Sequence, residues 1–138
     1  MHSLSKTEQI TSWICRVTVV IILIAALFSK FAGAEKFIYI FAKIGLEPWG
    51  RYSTGLAELI AAVSLLIPRF VWAGALIAIG VITGAMVSHL VILGPVVQGD
   101  GGRRFGLAVV VFLCSVVTVF LYRHQIPHPS WHRCQIRK

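Results

Sequence analysis

Two ionisable side chains stand inside otherwise oily stretches, Glu58 and His89. A carboxylate beside an imidazole can exchange a proton near neutral pH, because histidine titrates there. The same pair can hold a small polar headgroup, or simply satisfy each other. Charge within an apolar segment is costly, and such residues usually face a bundle interior or a polar cavity. Lys30 and Lys36 fall toward the same end of the chain's path and would complete a charged cluster.

Other chemistry finds little support. The cysteines Cys15, Cys114 and Cys134 form no Cys-x-x-Cys pair, and the phosphate-loop, nucleophile-elbow and zinc-protease motifs are missing. The tail carries His124, His128, His132 and Cys134, but Pro127 and Pro129 interrupt it and the spacing fits no closed four-ligand zinc pattern. No metal site is expected. No haem ligand pair, iron–sulfur cysteine set or flavin motif is present, so no intrinsic cofactor is expected.

The elements that must position Glu58 and His89 follow from composition. Of 138 residues 57% are hydrophobic and only 13% charged, and the mean hydropathy is +0.83. Soluble domains run nearer about 45–50% apolar and about 25% charged. A water-soluble enzyme domain is therefore excluded. The net charge of +8 does not point to nucleic acid, because the cations sit at the ends of apolar runs rather than on a basic stripe.

The reading is an all-α integral membrane protein: a four-helix bundle with a short amphipathic interfacial helix between spans 1 and 2. Residues 1–12 form a polar N-terminal segment. Spans fall at about 13–30, 52–67, 70–93 and 105–122, and 123–138 is a polar tail. Ala32-Gly33-Ala34 after an apolar run imitates a cleavage site, but three further spans favour an uncleaved first helix. Between spans 1 and 2, Phe37, Ile40, Phe41 and Ile44 follow helical spacing, with Lys36 and Lys43 on the other side. Pro68-Arg69 leaves only a tight turn between spans 2 and 3, an antiparallel hairpin that puts Glu58 and His89 at one membrane depth and allows their contact. Small residues Gly55, Gly74, Gly84 and Ser88 offer faces for close helix packing. Arg16, at the edge of the first run, is expected to snorkel to the interface.

An even number of spans puts both termini on one side. Lys6, Arg16, Arg69, Arg123, Arg133, Arg137 and Lys138 collect there, against Lys30, Lys36, Lys43, Arg51, Arg103 and Arg104 opposite. The balance slightly favours cytoplasmic termini.

Several segments together resemble the DoxX family of small membrane proteins. They are Phe28–Phe37 (FSKFAGAEKF), Phe41–Leu46 (FAKIGL), Gly55–Glu58 (GLAE), Leu65–Arg69 (LLIPR), Gly74-Ala75 and Gly84–Leu90 (GAMVSHL). The resemblance spans roughly residues 15 to 122. It implies a four-helix protein of the bacterial inner membrane, with matching polar positions at Lys30, Lys36, Glu58 and His89. Members of that family are linked to a thiosulfate:quinone oxidoreductase and to a membrane oxidoreductase complex of mycobacteria. The expected function is an accessory subunit of a membrane redox system, not catalytic alone. It would bind a quinone or similar lipid-soluble molecule near Glu58 and His89, with a membrane or peripheral oxidoreductase as partner. The alternatives are an assembly protein packing against a partner's transmembrane helices, or a small transporter acting as a homo-oligomer.

Overall fold

The computed structural model describes residues 5–125, and they hold five α-helices and no strand. These are α1 (Lys6–Phe31), α2 (Glu35–Lys43), α3 (Trp49–Leu66), α4 (Val71–Ser88) and α5 (Arg103–Tyr122). A π-helical turn, His89–Leu93, extends α4, and a 3-10 turn, Arg123–Gln125, closes α5. The expected tail 126–138, with His128, His132 and Cys134, lies outside the described residues.

α1 begins well before the apolar run. Ser5 and Glu8 form a capping box: the Ser5 hydroxyl accepts from the Glu8 N–H, and the Glu8 carboxylate accepts from the Ser5 N–H at 2.8 Å. That reciprocal pairing satisfies amide donors which the first helical turn leaves open. Three segments are long and apolar enough to cross a membrane: Lys6–Phe31, Val71–Leu93 and Arg103–Gln125. α3 is not among them, because its first half (WGRYSTG) is polar.

Contacts run from α1 to α3, α3 to α4, α4 to α5 and α5 back to α1. Val19 and Leu23, Ala61 and Leu65, Ala75 and Ala78, and Val111 meet at the centre, all almost fully buried. Large apolar side chains on the outside remain uncovered, Phe28, Val91 and Phe120 among them. Apolar groups exposed along helices of this length are what lipid, not water, would surround.

α1 and α3 run antiparallel, and each ends on an arginine of the other. Arg16 is 2% exposed, and its Nε donates to the Leu65 carbonyl at 2.6 Å. Leu65 lies in the last turn of α3, where carbonyls lose their helical partners. Pro68 and the tight turn remove any continuing amide. At the opposite end Arg51 Nη1 donates to the Lys30 carbonyl in the last turn of α1. The snorkelling expected of Arg16 therefore does not occur. The guanidinium turns inward to the orphaned carbonyl, lies 4.6 Å from the Trp13 ring centroid, and reaches the Tyr122 hydroxyl, which also takes a 3.1 Å hydrogen bond from Ser12.

The four small residues have different roles. Gly74 marks the α3–α4 crossing: a Cβ there would lie 2.7 Å from the Leu65 nitrogen and 2.8 Å from the Ala61 oxygen. At Gly55 it would lie 2.8 Å from the Phe31 ring. Gly84 does not pack as expected, since a Cβ there meets nothing within 4 Å. Ser88 instead turns its hydroxyl back to the Gly84 carbonyl at 2.8 Å. Gly74→Ala should thus force two backbones apart and cost on the order of 1–3 kcal/mol. Gly84→Ala should be neutral or stabilising by up to about 1 kcal/mol. Thermal unfolding in detergent micelles measures both, and equal effects would contradict the assigned packing.

Candidate functional site

At the end of the molecule where α1 stops and α3 starts, Lys30 Nζ lies 2.6 Å from Glu58 Oε1, with both side chains buried. The antiparallel α1–α3 pair, brought close at Gly55, sets this meeting. Lys30 also reaches Thr54 Oγ1 at 3.4 Å. The Phe37 and Phe41 rings of α2 lie 5.6 and 5.7 Å from its ammonium, within cation–π range. Arg51 is held by Glu47 at 2.8 Å and by the Lys30 carbonyl, so the backbone carrying Lys30 is itself anchored. The second carboxylate oxygen, Glu58 Oε2, is buried and has no hydrogen-bond partner among the described residues.

His89 opens the π-helical turn. The wider turn, and Gly94 at φ +79°, bring the Gly94 carbonyl to 3.1 Å from His89 Nδ1. The ring stands edge-on to Phe105 of α5 at 6.0 Å. The direct Glu58–His89 contact that the hairpin allowed is not formed: Lys30 takes the carboxylate and the backbone takes the imidazole. The two residues nonetheless border one cavity of about 810 Å³, together with Lys30 and Lys36. Such a volume lies within the range of small-molecule sites.

The cavity lies between the second half of α1, the end of α4 and the start of α5, with α2 alongside. Its walls are mostly apolar, from Ile21 and Ile22 on α1 to Ile40 and Phe41 on α2 and Leu107 on α5. Gly80 and Gly84 line it and leave gaps in its α4 wall among Val81, Ile82 and Ala85.

Asp100, Arg103 and Arg104, in and beside the loop that leads into α5, were not among the expected site residues, yet all three border the cavity. The signal was the topology, which places that loop on the side of Lys30 and Lys36. Asp100 Oδ1 accepts from the Val97 and Gly102 amides at 3.1 and 3.0 Å, and Oδ2 lies 3.9 Å from Arg104 Nε. Burial pushes the Asp100 carboxyl up. The amide donors of Val97, Gly102 and Arg104 and the Arg104 charge outweigh it and hold the group below its ordinary value. Cys15 on α1 and Cys114 on α5, both unbridged, are neighbours at the far half of the bundle. Among the described residues, no three His, Cys, Asp or Glu side chains gather as a metal site would need.

Long apolar helices with ionisable groups turned inward define a multi-pass membrane protein. The model of the DoxX family matches residues 12–91, more than half of the chain, and the protein belongs to that family. The match runs from α1 through His89 and leaves α5 outside. Comparison with curated proteins and with solved structures gives no match.

Two outcomes follow. Lys30→Met strands a buried carboxylate and should cost about 3–5 kcal/mol, whereas Lys30→Met with Glu58→Met should recover most of it. A double-mutant cycle by thermal unfolding checks this, and additive losses would show that the pair is not coupled. Asp100, with its folded-state pKa lowered, stabilises the 94–102 loop above the unfolded carboxylate pKa. That contribution is lost as pH falls through the folded value. Limited proteolysis of the loop should therefore accelerate on acidification in the wild type, and the acceleration should be absent in Asp100→Asn.

Proposed function

We propose that this protein binds a quinone, or a lipid-soluble molecule of similar build, in the cavity beside Glu58 and His89, as an accessory subunit of a membrane redox system. The observation that supports this most is the cavity itself: apolar walls long enough for a hydrocarbon tail, ending in buried Glu58, Lys30 and His89. A ligand matching it has a small polar head and a greasy body. The redox centre would belong to a membrane or peripheral oxidoreductase partner.

In this reading α1, α3, α4 with its π turn, and α5 are four spans, with α2 at the interface. α3 has 18 residues and reaches about 27 Å, close to the hydrocarbon thickness. Its Arg51 and Glu58 are neutralised by Glu47 and Lys30, which lowers the cost of placing it in lipid. The membrane would be the bacterial inner membrane, with both termini in the cytoplasm.

Protein purified from native membranes should release quinone on solvent extraction, assayed by chromatography. Gly84→Leu should narrow the cavity from its α4 wall and lower the recovered quinone several-fold, with thermal unfolding measured alongside as the control for stability. Extracts free of quinone, with a co-purifying membrane protein instead, would favour the assembly role.

A further inference from the structure

We propose that a second site, at the end of the bundle where α3 stops, binds a phosphate-type oxyanion through Arg16, and that the anion is the headgroup of an acidic phospholipid. The proposal does not depend on the quinone reading of the larger cavity.

The argument starts from the charge balance around Arg16. Its side chain is 2% exposed, and a guanidinium keeps its charge when buried. The groups around it are neutral. Nε donates to the Leu65 carbonyl at 2.6 Å, Nη1 lies 3.5 Å from the Tyr122 hydroxyl, and the Trp13 and Tyr122 ring centroids are 4.6 and 6.0 Å away. Nη2 is shielded from water and has no hydrogen-bond partner among the described residues. A buried charge without a counter-ion is strongly unfavourable, so an anion beside it is favoured.

The chain has no side chain to supply that anion. It holds five acidic residues in all. Glu47, Glu58 and Asp100 pair with Arg51, Lys30 and Arg104, and Glu35 opens α2 beyond the far end of α1. Glu8 accepts from the Ser5 amide in the capping box, about 12 Å along the helix from Arg16.

An external anion has space. Arg16 borders a cavity of about 350 Å³ together with Gln9, Trp13, Pro68, Tyr122 and Gln125. Tyr122 Oη accepts from Ser12 at 3.1 Å, so its own O–H is open to an acceptor. Gln125 Oε1 lacks a partner, and a half-turn of the amide presents the N–H groups in its place. The position favours a lipid as the source. Arg69 and Arg123, both exposed, adjoin Pro68 and Tyr122 in the chain. Ile10, Trp13 and Ile14 expose more than half of their surface on the adjoining stretch of α1. Cations and a tryptophan at the end of apolar helices meet headgroups, and bare apolar side chains beside them meet acyl chains.

Thermal unfolding of the full chain in a neutral detergent tests this at constant ionic strength. The additions are dihexanoyl phosphatidylglycerol, dihexanoyl phosphatidylcholine and inorganic phosphate. Phosphatidylglycerol should raise the midpoint saturably, and phosphatidylcholine should not. Gln9→Glu, which puts a carboxylate in the cavity, should weaken the phosphatidylglycerol affinity about tenfold. Lys43→Gln makes the same change in net charge at the far end and should leave the affinity within about twofold. Stabilisation by inorganic phosphate, matching that by the glycerol lipid, supports the oxyanion site and overturns the headgroup as its source. No stabilisation by either anion, an equal effect of phosphatidylcholine, or equal losses in the two variants overturns the site.

Discussion

A charge or an open backbone carbonyl buried away from water must find its partner within the protein. In this chain that constraint is met by the α1–α3 pair. Lys30 and Glu58 neutralise each other, Arg16 closes the end of α3, and Arg51 closes the end of α1. The three interactions work only with the helices antiparallel and in one register. A shift by one turn would separate Lys30 from Glu58 and uncover the Leu65 carbonyl. The polar groups thus cost desolvation and in return specify one alignment, a role suited to buried ionic groups whose net contribution to stability is small.

The cavity follows from that alignment. Lys30 holds Glu58 midway along α3, and the arginine–tyrosine cluster ties α1 to α5 beyond the end of α3. Gly74 draws α4 tightly onto α3, while Gly80 and Gly84 on the same helix meet no neighbour. Small residues therefore do two different things along α4, closing a contact near its start and leaving space near its end. The π turn then carries His89 to the border of that space.

Much of this was legible from residues alone. Apolar runs, Pro68-Arg69 and the spacing of Phe37, Ile40, Phe41 and Ile44 located the helices, because hydropathy and helical periodicity are local properties. The same runs made Glu58 and His89 conspicuous, since an ionisable group stands out against oil. Topology collected Lys30, Lys36, Arg103 and Arg104 on one side.

Partner choice was a different matter. Whether Glu58 takes Lys30 or His89, whether Arg16 turns outward to headgroups or inward to Leu65, and whether a glycine packs or leaves a void all depend on distances of a few ångströms between segments far apart in the chain. Composition and periodicity determined an all-helical, membrane-type chain with polar groups at known positions along its helices. Only tertiary packing decided which of them meet, because rotation and register of each helix are set by contacts with its neighbours and not by its own sequence pattern.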